Sequence, residues 1–357
     1  MKKLRVGILG ATGTVGQKFI AMLAEHPWFQ VNAVAASDRS AGKCYGEVTK
    51  WGLGTAIPSD IASMPVQSCQ EELSCDILFS GLDSSVAYEI EATYAKQGYV
   101  VVSNASPHRM DLDVPLLIPE VNANHLALLS KQQFGRGALV TNPNCSVIGI
   151  AMALKPLVDL FHVERVHIVT MQAISGAGYP GVPSLDILDN VIPFIQGEEH
   201  KVEQEPLKIL GSLQDACIIP HPMKISAQCM RVPVTDGHMA CLSVKFATKT
   251  ALDEIIHAWD SYEGINLPTA PKHPLLYSHD ERHPQPKLHR LLNRGMSISL
   301  GRLRPCPLFD WKFVILSHNT VRGAAGCAIL NAELMVHMGY FPTFTQQQST
   351  ELLETLR

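Results

Sequence analysis

The sequence has no run of lysine or arginine, no CxxC pair, no HExxH or comparable ligand spacing, and no apolar stretch long enough to cross a bilayer. Each absence removes a class of function. Without a basic run there is no electrostatic footprint for a nucleic-acid backbone, and the net charge of −4 argues the same way. Fifteen histidines without tight ligand spacing give no metal site. Nine cysteines, an odd number in a chain of 357 residues, do not form a disulfide scaffold and read as reduced thiols in a cytoplasmic protein. The most apolar helix segment, VIGIAMAL, meets Lys155 and Pro156 before it could span a membrane. The start, MKKLRVGILGATG, is basic and then apolar, but glycines interrupt it, so it reads as a strand entering a turn and not as a signal peptide.

What is present is a globular composition, 46% apolar and 17% charged, in a chain longer than one core usually serves. Two domains are expected. LRVGIL, the helical spacing of QKFIAMLAEH and the strand VNAVAA make a βαβ unit. DILFSGL, the helix SSVAYEIEATYAKQG, YVVVSN, a helix from about Asn124 and GALVTN continue the alternation. Strands alternating with helices predict a parallel, doubly wound sheet. Beyond a helix over 145–160 the character changes. VERVHIVTMQAI (163–174), CIIPHPMKISAQCMRVPV (217–234), HMACLSVKFAT (238–248) and FVILSHN (313–319) are strand candidates, with helices near 184–213 and 250–260. They predict an α+β domain with a mixed or antiparallel sheet. Residues 268–290, rich in Pro and His, read as a long loop, and VRGAAGCAILNAELMVHMGY as a terminal helix.

Four segments carry chemistry. Gly10-Ala11-Thr12-Gly13-Thr14-Val15-Gly16 lies between the first strand and helix, where glycines allow a tight turn and close approach of a pyrophosphate to the helix N-terminus. The second strand ends in Ser37-Asp38-Arg39-Ser40. An acid there binds a ribose 2′-hydroxyl, whereas a base accepts a 2′-phosphate; Ser37, Arg39 and Ser40 tilt the reading toward NADP, although Arg39 also fits a solvated loop. In Asn142-Pro143-Asn144-Cys145-Ser146, turn and cap residues put Cys145 at a helix start, where the dipole and free N–H groups favour a thiolate. A buried, inert thiol fits the same segment. A nucleophile needs a proton acceptor, and His238, in Thr235-Asp236-Gly237-His238, is the best candidate. Arg231, inside an apolar run, wants an anion: a substrate carboxylate, or an internal Asp or Glu.

These motifs, with SNASPHRMDLDVPLLIPEVN (103–122), QAISGAGYPG (172–181) and HNTVRGAAG (318–326), resemble nearly end to end the aspartate-semialdehyde dehydrogenase family, in its archaeal and fungal branch. The resemblance implies a Rossmann-like NADP-binding domain over 1–144, completed by a C-terminal helix over 322–357, and a catalytic and dimerisation domain over 145–321. It implies NADPH-dependent conversion of aspartyl phosphate to aspartate semialdehyde, on the way to lysine, threonine and methionine, by a cytoplasmic homodimer or homotetramer. Partners would be small molecules only, with no nucleic acid, membrane or metal. Cys145 would be the acyl-thioester nucleophile, His238 the acid/base, and Gln172 would orient the acyl group. Arg231 would bind the substrate carboxylate, Glu205 its ammonium, and Lys208, Arg109 and Asn104 phosphate. Glu198 or Glu199 with Lys201 is the alternative register for the Glu/Lys pair. Ser175, Gly176 and Asn319 would join Gly10, Thr12, Gly13, Thr14, Val15, Gly16, Ser37, Arg39 and Ser40 in holding the cofactor. Malonyl-CoA reductase and N-acetylglutamyl-phosphate reductase, with the same domains and thiol chemistry, stand as alternatives, as do a non-catalytic NADP-binding protein and a cofactor-free cysteine hydrolase.

Overall fold

The computed structural model describes residues 3–341. The chain forms two compact units: one takes in the chain up to Leu117, Asn124–Asn142 and the segment from Ala324 on; the other is Ile118–Ala123 with Pro143–Gly323. The last part of the expected C-terminal helix, 342–357, lies outside the described residues.

In the first unit six strands run β1 Leu4–Leu9, β2 Phe29–Ala36, β3 Val66–Ser68, β4 Ile77–Ser80, β5 Val100–Ser103 and β6 Ala138–Thr141. All are parallel and the order is β3-β2-β1-β4-β5-β6, the doubly wound order of a Rossmann sheet. Both faces are covered, so the central strands are mostly apolar and β4 and β5 are buried at every position. Strand β3 was not expected, being only three residues long. The helix expected near Asn124 is a 3-10 helix over Ala123–Lys131.

In the second unit β7 Val163–Gln172, β10 Lys224–Arg231, β11 His238–Phe246, β12 Leu275–Ser278, β13 Ile298–Pro305 and β14 Trp311–Ser317 form one mixed sheet, ordered β10-β7-β11-β14-β13-β12. The short strands β8 Ser212–Gln214 and β9 Cys217–Ile219 make a separate hairpin. The run 217–234 is therefore two strands, parted at Pro220 and Pro222, neither of which can donate to a ladder. The 268–290 segment is not one loop: it contains β12 and a short helix, Pro286–His289. Its strand pairs with β13, whose mixed sequence ISLGRLRP gave no apolar run to read.

Alternation fixes the sheet's buried face. Val166, Ile168, Thr170 and Gln172 of β7, Ala227, Cys229 and Arg231 of β10, and Ala240, Leu242 and Val244 of β11 are buried on one side. The helix Cys145–Phe161, apolar on nearly every face, packs against this sheet and continues through Pro156. The outer edge strand β10 is covered by the helix Glu198–Ile209, whose Glu199 and Glu203, one turn apart, accept the otherwise unpaired N–H groups of Cys229 (3.1 Å) and Ala227 (2.9 Å). Among the described residues, no helix is long and apolar enough to cross a membrane.

Candidate active site

Sheet register assembles the site. Arg231, the last residue of β10, pairs with Gln172, the last of β7. One step beyond the Met239–Met171 pair, His238 opens β11 beside Gln172. Side chains of the same parity share a face, so Arg231, Gln172 and His238 form a row at one end of the buried face.

Cys145 is the first residue of its helix and Asn144 the N-cap, as the turn chemistry required. The Asn144 side-chain oxygen accepts from Ser146 N (2.8 Å) and Val147 N (3.4 Å). That corrects one expectation: these two first-turn N–H groups, expected to be free beside the thiol, serve the cap. The cap is itself held from the Glu198–Ile209 helix, with Asn144 N donating to Glu205 (2.6 Å) and Asn144 Nδ2 to Glu198 (2.8 Å). Glu198 also accepts from Gln172 (3.0 Å), and Lys201 stands 3.5 Å from its other oxygen. Residues 198, 201, 205 and 208 share one helix face, so the two Glu/Lys pairs sit about 10 Å apart along it. Of the two, Glu198 touches Gln172 and lies within electrostatic reach of Arg231, while Glu205 and Lys208 are buried and Lys201 is partly exposed.

Ala173 joins the cation to the imidazole. Its N–H donates to His238 Nδ1 (3.0 Å) and its carbonyl accepts from Arg231 Nη1 (2.7 Å). Because Nδ1 is an acceptor, the neutral ring carries its proton on Nε2. That atom is buried and has no partner among the described residues. Burial, then the charge of Arg231 and then His318, drops the His238 pKa to about 3, so the ring is neutral at ordinary pH. Burial likewise pulls the Arg231 guanidinium below its ordinary range, against the opposing pull of Cys145 and Glu198.

The loop over this row is pinned at its start. Ile174 N and Ser175 N donate to Val234 and Thr235 (2.8 and 3.2 Å). Asn319 gives its amide to Ser175 Oγ (2.8 Å) and accepts from Gly237 N (2.9 Å), so this expected cofactor contact also braces the turn that carries His238. Gly176 crosses above the row: a Cβ there would lie 2.9 Å from Arg231 Nη1 and 3.0 Å from His238 Nε2.

Of the residues expected to hold a nucleotide, those of Gly10–Gly16 and Ser37–Ser40 lie in the first unit, and Ser175, Gly176 and Asn319 in the second. Gly10 has φ +72, and a Cβ on it would meet Gly81 O at 2.7 Å; one on Gly16 would meet Gly10 O at 2.4 Å. Those two glycines are required by the turn and by helix–strand packing. Gly13 is exposed, and the helix Thr14–Leu23 that it begins has no side-chain cap, leaving Thr14, Val15 and the N-terminus to an anion. Gln17 pins the loop through Thr12 O (2.9 Å). At the end of β2, Asp38 accepts from Ser68 Oγ (3.0 Å), while Ser37 and Arg39 are exposed and Ser40 closes a turn onto Ser37 O. This cradle fits a dinucleotide with a phosphate on its ribose. Asn104 is occupied, its Oδ1 accepting from Asn142 (2.8 Å), and buried Arg109 donates to its carbonyl (2.8 Å).

Known proteins match both units. The family model described as semialdehyde dehydrogenase, NAD binding domain, matches residues 5–129, and semialdehyde dehydrogenase, dimerisation domain, matches 154–322. The aspartate-semialdehyde dehydrogenase of Archaeoglobus fulgidus is 50% identical, covering 93% of this chain and 97% of its own; that of Schizosaccharomyces pombe is 47% identical, covering 94% and 98%. The crystal structure of the Candida albicans enzyme with NADP is 40% identical, with TM-score 0.86 over 94% of this chain and 98% of its own.

Proposed function

The chain belongs to the aspartate-semialdehyde dehydrogenase family, and from that premise we propose how its own residues divide the conversion of L-aspartyl 4-phosphate to L-aspartate 4-semialdehyde. NADPH, when bound, supplies the hydride that reduces the acyl group. The loop Gly10–Gly16 and the uncapped helix behind it hold the pyrophosphate; Ser37, Arg39 and Ser40 take the 2′-phosphate, with Asp38 drawn aside by Ser68.

Cys145 Sγ attacks the acyl carbon and phosphate leaves, forming a thioester; after reduction the same sulfur departs as thiolate. Each step passes through an oxyanion. His238 Nε2–H is the donor that meets it, a role supported by a ring whose other nitrogen is already occupied. In this reading the imidazole works chiefly as a fixed donor, and the ionised sulfur owes its charge to the helix start and to Arg231. Arg231 takes the substrate carboxylate with the guanidinium nitrogens not committed to Ala173. Glu198 and Lys201, in preference to Glu205 and Lys208, face the ammonium and the phosphate, since Glu198 touches Gln172 whereas Glu205 is committed beneath the Cys145 turn. We further propose a cytoplasmic homo-oligomer assembled through the dimerisation unit; nine cysteines outside any disulfide and the exposed Leu185 and Phe194 support this.

The observation that carries the reading is the unpartnered, buried His238 Nε2 in one row with Arg231 and Gln172. The test compares phosphate-dependent oxidation of aspartate semialdehyde with NADP⁺ against reduction of malonyl-CoA with NADPH, in the native chain and in Cys145→Ser. The first reaction should dominate and vanish in the variant. Faster turnover of malonyl-CoA, or an active Cys145→Ser, overturns the proposal.

A further inference from the structure

We propose that the buried Arg322–Glu120 ion pair is a positioning device that sets the Cys145 nucleophile relative to His238; this rests on the reading of Cys145 above. The pair is bidentate, Nη1 to Oε1 at 2.8 Å and Nη2 to Oε2 at 2.6 Å, and both side chains are 0% exposed. Two charges withdrawn wholly from water gain little stability over apolar residues of the same shape. What a fork-to-fork pair supplies that apolar contact does not is a fixed direction.

Both ends of the pair lead to structural fixtures. Glu120 lies in the short helix Pro119–Asn122, which is tied down by Asn122 accepting Ile118 N (2.8 Å) and by the Tyr262 hydroxyl donating to Glu120 O. Arg322 lies in a π-helical turn, Val321–Ala325, in which Gly323 N donates to His318 O five residues back (2.9 Å). Such turns are wider than an α-helix and need a local cause. Here Gly323, the next residue, lies flat against the nucleophile: a Cβ on it would be 2.9 Å from both Cys145 Cβ and Cys145 O, and 3.1 Å from Cys145 Cα. Three residues before Arg322, Asn319 braces the turn that carries His238. The segment 318–323 thus touches the nucleophile's backbone at one end and the imidazole's support at the other, and Arg322 is its anchor. A shift of the guanidinium moves both.

The test uses the full chain with two variants. Arg322→Met/Glu120→Leu removes both charges and keeps the volume, and Arg322→Lys keeps the charge and loses the fork. Three quantities are measured: the melting temperature, kcat for semialdehyde oxidation, and the pH profile of Cys145 alkylation by iodoacetamide read by peptide mapping against the other eight cysteines. The double variant should melt within a few degrees of the native chain, with kcat at least tenfold lower and the Cys145 profile displaced. Arg322→Lys should show the same displacement to a lesser degree. Native kcat and a native alkylation profile in a folded double variant overturn the proposal. Should the double variant not fold, native values of both in Arg322→Lys overturn it instead, and their displacement supports it. Failure of the underlying catalytic reading would show separately, as activity retained in Cys145→Ser.

Discussion

Gly176→Ala should leave the protein folded and slow the reaction by roughly ten- to a hundredfold. Gly176 is exposed and its φ lies outside the left-handed region, so alanine fits the backbone. On that ground alone the change would stabilise the fold by about 0.4–1 kcal/mol, by restricting the unfolded chain. The new methyl carbon, however, would stand 2.9 Å from Arg231 Nη1 and from His238 Cε1, against an ordinary contact beginning at 3.4 Å. Each group must therefore give way by about 0.5 Å. The guanidinium is restrained by its 2.7 Å bond to Ala173 O, a charge-assisted bond worth about 1.5–3 kcal/mol, and the same residue holds His238. A misplacement of ~1 Å at a reacting centre costs ~100-fold, so half of that sets the lower end of the range. The assay is phosphate-dependent reduction of NADP⁺ with aspartate semialdehyde, beside a thermal melt. Gly178→Ala serves as control: it has φ +71 and open space around it, so it should lower stability and spare the rate. A Gly176→Ala enzyme with kcat/KM within twofold of native would refute the proposed role of the row Arg231, Gln172 and His238 beneath this glycine.

Three further outcomes follow from the same geometry. The folded His238 stays neutral down to about 3 while the unfolded ring protonates near 6.5, so the stability tied to the neutral ring is complete above 6.5 and is lost as pH falls toward 3; His238→Asn should flatten urea-unfolding free energy across that window, and an unchanged slope would count against the buried ring. Arg231→Leu should raise KM for aspartate semialdehyde at least tenfold and also lower kcat, because Ala173 and His238 lose their brace; a pure KM effect would mean the brace is unused. Glu198→Gln should cut activity with little change in melting temperature, whereas Glu205→Gln, weakening the bond to Asn144 N, should lower melting temperature first; the reverse pattern would restore the other register.

Local chemistry was readable in the chain itself. Asn-Pro-Asn before Cys145 could only be a turn and cap, and the structure starts the helix at that cysteine. Glycines 10 and 16 sit where a Cβ has no room, and alternating strands and helices gave the parallel sheet. Alternation within β7, β10 and β11 also fixed which residues share a face, because side-chain direction along a strand has period two.

What the sequence could not decide are relations between distant segments. Two Glu/Lys pairs with the same spacing lie on one face of one helix, and only packing against β10 and the Cys145 turn distinguishes them. Asn319 reads in the sequence as a cofactor contact, and only the fold shows that its side chain also bonds Gly237 and Ser175. The capping of Ser146 and Val147, which takes up N–H groups expected to be free, depends on where one side-chain oxygen turns. Glu120 and Arg322 stand 202 residues apart, with nothing in either neighbourhood to announce the other. Backbone conformation follows from a few adjacent residues, but strand order and register bring remote ends to one point, and that is a property of the closed sheet and not of any segment within it.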